Sequence, residues 1–175
     1  MDALLFVVDS VLTFAVYAFL LRVLLPLSRA DFRNPLAQAI LALTSWLVLP
    51  LRRILPPVGR VDTASVVALL AVQVAATLIL FRLQTGVLFP FVPLMVTSMR
   101  MLLASVLLLY TVLIFIYALL SFVAPGARSP ATSLLASLCE PLLGPLRRLL
   151  PAVGGLDFSP LVAIIGLQAL RLLIT

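Results

Sequence analysis

The chain has 175 residues, of which 64% are apolar and only 10% charged, and its mean hydropathy is +1.30. A soluble domain carries roughly 25% charged residues, and a disordered chain needs still more charge with less hydrophobicity, so the composition excludes both classes and points to an integral membrane protein. The net charge of +6 comes from twelve arginines, with no lysine and no histidine, against six acids: Asp2, Asp9, Asp31, Asp62, Glu140 and Asp157.

The first apolar run, Ala3 to about Leu27, is long enough to cross a hydrocarbon core of ~30 Å, which takes ~20 helical residues. No basic segment precedes it and no small-residue cleavage site follows, so it reads as a retained transmembrane helix rather than a signal peptide. A polar stretch, Ser28–Asn34, leads to Asn34-Pro35, a cap followed by a proline at the first helical position. The helix it opens ends at Pro50 in this reading. With ~15 residues it is too short to span and is expected to lie in the interface or to re-enter. Leu51–Val61 holds Arg52-Arg53, Pro56-Pro57 and Gly59 and reads as an irregular turn. Asp62 is placed as the N-cap of a second span, about Thr63–Phe81.

Gln84–Ser98 is an apolar connection in which Pro90 and Pro93 argue for a turn and Phe89 and Phe91 for contact with the lipid interface. A third span, about Met101–Val123, follows Arg100. Pro125–Pro130 is a break, and Ser129-Pro130 repeats the cap-plus-proline start. Ala131–Leu143 is read as a short amphipathic helix, with Ser133, Ser137 and Glu140 forming one polar stripe. Pro145–Asp157 is a second irregular turn, and Phe158–Ile174 the last span.

The pattern occurs twice. Pro50-Leu51-Arg52-Arg53-Ile54-Leu55-Pro56-Pro57-Val58-Gly59-Arg60-Val61-Asp62 matches the segment Pro145 to Asp157 at a constant offset of 95, with nine of thirteen residues identical. The same offset relates Pro35 to Pro130 and Gln73 to Gln168. The chain therefore reads as an all-α membrane protein of four transmembrane helices plus two short amphipathic or re-entrant helices, arranged as two tandem parallel repeats, residues 1–88 and 89–175. Each unit holds two spans, which puts both Arg-Arg turns on one side. Arg29, Arg33, Arg52, Arg53, Arg60, Arg128, Arg147 and Arg148 gather there, with Arg22 at the border and Arg82, Arg100 and Arg171 opposite. The excess of arginine places that side in the cytoplasm and both termini outside.

The doubled motif P-L-R-R-x-L-P-x-V-G-x-x-D, each copy preceded by a short helix opening with N-P or S-P, resembles the YggT family of small bacterial inner-membrane proteins and its YlmG-type relatives. The resemblance covers nearly the whole chain. Its second copy is the closer match, with Glu140-Pro141 before the turn and Gly154-Gly155-Leu156-Asp157-Phe158-Ser159-Pro160 through it. The first copy departs from it, with Ser45-Trp46 and Thr63-Ala64-Ser65 at those places. The resemblance implies an inner-membrane location and links, through members of the family, to osmotic tolerance and cation uptake, to cell division or nucleoid organisation, and in plastids to cytochrome maturation.

The candidate lipid- or partner-binding residues are Arg52, Arg53, Asp62, Arg147, Arg148 and Asp157. Paired guanidiniums suit bidentate binding of phosphate or of an acidic segment. The same residues also serve as headgroup anchors and helix caps in a purely structural reading. Asp9, an acid inside an apolar run, is expected either to pair with Arg82, Arg100 or Arg171 or to sit at the interface. Gln73 and Gln168 either hydrogen-bond to one another across the repeats or line a polar path. Glu140 is expected to face headgroups or to pair with Arg147 or Arg148. Without histidine the chain lacks the commonest neutral-pH catalyst and metal ligand, and the single Cys139 makes neither a disulfide nor a multi-cysteine site. No nucleophile elbow, phosphate loop or zinc motif is present, so no enzyme activity, no cofactor and no metal is expected. The expected function is a non-enzymatic scaffold or assembly factor that contacts anionic phospholipid headgroups but not nucleic acid, as a homo-oligomer or in a larger membrane complex. The alternative is a small cation channel or transport component active under osmotic stress.

Overall fold

The structure is a computed structural model that describes residues 2–57, 61–123, 126, 129–149 and 157–174. Among these residues there are six helices and no strand: α1 (Asp2–Leu27), α2 (Pro35–Arg52), α3 (Thr63–Thr85), α4 (Phe91–Val123), α5 (Pro130–Leu149) and α6 (Ser159–Ile174). Four helices, α1 to α4, are long and apolar enough to cross a membrane. The chain is an all-helical protein whose apolar helices are consistent with residence in a bilayer.

The set of four differs from the expected one. α2 runs past Pro50 to Arg52 and reaches 18 residues, about 27 Å, whereas α6 holds 16 residues, about 24 Å. α4 starts at Phe91, so most of the connection expected at Gln84–Ser98 is helix. Pro93 falls in its first turn, where a missing N–H has no helical partner to lose. At 33 residues α4 extends about 50 Å, well beyond a hydrocarbon core of ~30 Å. α5 likewise continues through Pro141 and past Pro145, where the turn was expected to begin, to Leu149. Each proline removes one N–H. The fully buried Leu138, Cys139 and Leu143 lie on either side of Pro141 and hold this stretch in place.

The helix ends follow their capping residues. Asn34 Oδ1 accepts the Leu36 N–H at 2.9 Å at the start of α2. Ser129 and Thr132 exchange bonds at the start of α5, the Thr132 N–H reaching Ser129 Oγ at 3.1 Å and the Ser129 N–H reaching Thr132 Oγ1 at 2.9 Å. α3 ends at Gly86, whose φ of 73° lets its N–H return to the Arg82 carbonyl at 2.9 Å.

Contacts divide the chain into two units, Met1–Val23 with Ile40–Leu103, and Leu24–Ala39 with Ala104–Thr175. In the first, α3 buries Ala64, Ser65, Ala68, Leu69, Gln73, Ala76 and Thr77. These fall at i and i+4 along the helix, and most are small, which permits the close helix approach that replaces hydrophobic driving force in lipid. In the second, Leu25, Ile114, Leu138 and Leu143 are the largest fully buried side chains.

Candidate lipid- and partner-binding site

The first Arg-Arg segment is built where α2 ends and α3 begins. Arg52 closes α2, and its Nε and Nη2 donate to the two carboxylate oxygens of Asp62. The Ser65 hydroxyl, one turn into α3, donates to Asp62 Oδ2 at 2.6 Å. Asp62 occupies the N-cap position, but its side chain makes no capping bond. Asp62 is thus the N-cap residue by position, as expected, while its carboxylate is given to the charge-assisted fork from Arg52 instead of a neutral backbone N–H. Partial burial raises the pKa of Asp62, and the bonds from Arg52 and Ser65 reverse that, holding the carboxyl below its ordinary range.

Behind this pair sits a residue that the sequence had placed only at the membrane border. Arg22, on α1, is 3% exposed. Its Nε donates to Ser65 Oγ at 3.0 Å, and its Nη1 donates to the Leu41 carbonyl at 2.9 Å, to Thr44 Oγ1 at 2.7 Å and to Ser45 Oγ at 3.2 Å. Ser65 accepts from Arg22 and donates to Asp62, so a chain Arg22–Ser65–Asp62–Arg52 joins α1, α2 and α3. The signal for it was present in the sequence, as three hydroxyls (Thr44, Ser45, Ser65) in largely apolar helices.

The second segment repeats the ion pair and changes what surrounds it. Arg147 Nε donates to Asp157 Oδ2 at 2.8 Å, the same ten-residue interval as Arg52 to Asp62. Its Nη1 donates to Glu140 Oε2 at 3.2 Å, as expected for Glu140, and its Nη2 to the Tyr117 hydroxyl at 3.4 Å, with the guanidinium 5.8 Å from the Tyr117 ring centre. Here the aspartate also does what its counterpart does not: Asp157 Oδ1 accepts the Ser159 N–H at 2.9 Å at the start of α6. Burial raises the Asp157 pKa, and the bonds from Arg147 and Ser159 bring it below the ordinary value. Arg147 is raised, burial opposing and Asp157 and Tyr117 prevailing. At the 95-residue offset Tyr117 stands for Arg22 and Glu140 for Ser45. The first segment thus surrounds one acid with two guanidiniums, and the second surrounds one guanidinium with two acids.

The other residues of the two pairs behave alike. Arg53 and Arg148 are exposed, and neither side chain has a hydrogen bond or ion pair among the described residues. The turn residues Val58–Arg60 and Leu150–Leu156, and Arg128 in the break before α5, lie outside the described residues. Asp9 is exposed, and none of the ion pairs among the described residues includes it. Only seven residues into α1, it points outward rather than into a helix contact. Gln73 is buried, and its Nε2 donates to Thr77 Oγ1 at 3.3 Å within α3; Gln168 is half-buried on α6. A cavity of about 680 Å³ in the second unit is lined by Asp31, Arg33, Asn34, Tyr117, Leu120 and Ser133 among others. Among the described residues no three metal-ligating side chains gather.

The chain matches the CCB3/YggT family over residues 1–83 and 96–175. It is 33% identical over 173 residues to the uncharacterized protein YggT of Escherichia coli (strain K12), covering 98% of this chain and 89% of that one. It is 39% identical over 170 residues to an uncharacterized protein encoded in the proC 3′ region of Vibrio alginolyticus, covering 96% and 91%. An uncharacterized protein of Pseudomonas aeruginosa is 39% identical over 156 residues, or 89% of this chain and 79% of that one. No solved structure matches. With the doubled Arg-Arg segment in place and the family match spanning both halves, the chain belongs to the CCB3/YggT family.

Proposed function

We propose that this protein is a non-enzymatic scaffold or assembly factor of the bacterial inner membrane, built as two tandem parallel repeats, which presents its Arg-Arg segments to anionic headgroups and to acidic segments of partner proteins. The observation that carries this reading is the division of labour within each pair. Arg52 and Arg147 are held by Asp62 and Asp157, while Arg53 and Arg148 stand exposed beside them with their donors unclaimed. A guanidinium fork left open next to a braced neighbour is preorganised for a phosphate or carboxylate. In this reading α5 lies amphipathically at the headgroup layer, the arginines face the cytoplasm, both termini lie outside, and the protein works as a homo-oligomer or in a larger membrane complex.

The burial of Gln73 and its bond to Thr77 support a packing role over a hydrated path. The test places a photo-crosslinking residue at Ile54 or Leu149, exposed neighbours of Arg53 and Arg148, in native membranes. Discrete protein or lipid adducts that vanish in the Arg53→Gln/Arg148→Gln double variant are expected. Adducts unchanged by that variant refute the reading, and potassium flux in proteoliposomes that Gln73→Leu abolishes would replace it with transport.

A further inference from the structure

The second unit carries a smaller cavity, of about 320 Å³, where the end of α1 meets α5. Arg29, Ser28, Glu140, Gly144 and Arg148 line it. Neither guanidinium has a side-chain partner among the described residues, so two unclaimed cationic forks share one concave wall. Glu140 is engaged on one side only. Its Oε2 accepts from Arg147, and its Oε1 lies at the Gly144 side of the cavity. Two guanidiniums and one carboxylate leave a single positive charge.

Two features show that this hollow is built rather than incidental. Arg29 has a φ of 54°, the position after α1 at which the Arg29 N–H returns to the Pro26 carbonyl (3.3 Å) and the Ala30 N–H to the Leu25 carbonyl (3.1 Å). Glycine is the residue that this helix-end geometry favours, and a Cβ there is penalised. In this chain the position holds an arginine, and its side chain lines the cavity. The second feature comes from the 95-residue offset. Pro141 and Gly144 stand where the first half has Trp46 and Leu49, and Glu140 where it has Ser45. A Cβ on Gly144 would sit 3.1 Å from Glu140 Oε1. Glycine is unfavourable inside a helix, yet here it leaves the carboxylate its place and the cavity its volume.

We infer that this cavity binds the headgroup of a phospholipid, a phosphodiester held between Arg29 and Arg148 whose far end donates a hydrogen bond to Glu140. The diester carries one negative charge and matches the single positive charge of the cavity. Bidentate guanidinium contacts fit its two free oxygens. A hydroxyl or ammonium donor at the far end satisfies Glu140, which choline, with no N–H or O–H, does not. This inference rests on the proposed orientation, in which the end of α1 lies at the headgroup layer.

The test uses the full chain in detergent, titrated calorimetrically with dihexanoyl phosphatidylglycerol, dihexanoyl phosphatidylcholine and glycerol phosphate. Phosphatidylglycerol is expected to bind about tenfold or more tightly than phosphatidylcholine. Arg29→Gln and Arg148→Gln are each expected to weaken it about tenfold, Gly144→Leu to abolish it with all charges retained, and Glu140→Gln to narrow the gap between the two lipids. Arg82→Gln, which removes one positive charge outside the cavity and outside the Arg-Arg segments, leaves it unchanged. Equal binding of the two lipids, or an equal loss from Arg82→Gln and Arg148→Gln, would overturn the inference in favour of diffuse surface charge. Tighter binding of glycerol phosphate than of phosphatidylglycerol would overturn it in favour of a free phosphomonoester. Where Gly144→Leu does not fold, the contrast between Arg148→Gln and Arg82→Gln decides alone. Loss of this selectivity with crosslinks at Ile54 and Leu149 intact removes only the cavity site; loss of both removes the scaffold reading as well.

Discussion

Replacing Arg22 tests how a buried cation is tolerated in this fold. The side chain is 3% exposed and donates four hydrogen bonds, all to neutral oxygens. Its hydroxyl acceptors have other partners: Thr44 donates to the Ile40 carbonyl, Ser45 to Leu41 and Ser65 to Asp62. Arg22→Ala therefore leaves few orphaned polar atoms, but it forfeits charged hydrogen bonds worth about 1.5–3 kcal/mol each before non-additivity, and opens a cavity. It is expected to cost about 3–5 kcal/mol, as breaking buried charge networks does. Arg22→Met fills the volume and relieves the desolvation of a cation with no carboxylate bonded to it directly, so it should fall within about 1 kcal/mol of the parent. The assay is SDS-induced unfolding in mixed micelles followed by Trp46 fluorescence. Trp46, the only tryptophan, lies on α2 with its ring 6.5 Å from Phe19 of α1, edge to face, and so reports on the helices that Arg22 joins. An Arg22→Ala midpoint equal to the parent's would refute the network as a stabilising element. A methionine variant as unstable as the alanine one would show that the charge itself is needed.

The two braced pairs should differ in the same assay. The Asp62 side chain is 13% exposed and that of Asp157 39% exposed, so Asp62→Asn should cost about 1–2 kcal/mol and Asp157→Asn less than about 1 kcal/mol after solvent screening. The reverse order would count against burial as the controlling factor. Both carboxyls titrate below their ordinary value of 3.8, so their stabilisation is complete above that pH and is lost as pH falls through the lower folded-state value. The unfolding midpoint should accordingly drop below about pH 4 in the parent and flatten there in the Asp62→Asn/Asp157→Asn double variant. Cys139 is fully buried, and burial pushes its thiol up to about 12, against a smaller opposing effect of Arg147. Alkylation at pH 8 should be negligible in the folded protein and complete in SDS. Rapid labelling of the native state would contradict the packing of α5.

Much of this architecture is legible in the sequence. Apolar runs of membrane length, the Asn34-Pro35 and Ser129-Pro130 starts, and the doubled Arg-Arg segment rest on local chemistry, and local chemistry is written in adjacent residues. The helix extents are less so. Pro50, Pro93 and Pro145 read as breaks because a proline's local cost is visible in sequence, whereas the burial of Leu138, Cys139 and Leu143 that offsets it in α5 depends on neighbours distant in the chain.

The site divides in the same way. The ten-residue interval from Arg52 to Asp62 and from Arg147 to Asp157 is a sequence fact, and it determined which groups are available to pair. Which arginine of each pair is braced and which left open was decided only when the helix ended at a particular residue and turned its side chain back toward the aspartate. Arg22 shows the limit most plainly. In sequence it is a charge near the end of an apolar run. Its value comes from Thr44, Ser45 and Ser65, some twenty to forty residues away, which the packing of α1, α2 and α3 brings within 3.2 Å. Composition and periodicity determine what must enter the membrane. The partners of a buried polar group are determined by where three helices meet, because its desolvation is offset only by bonds that tertiary contact creates.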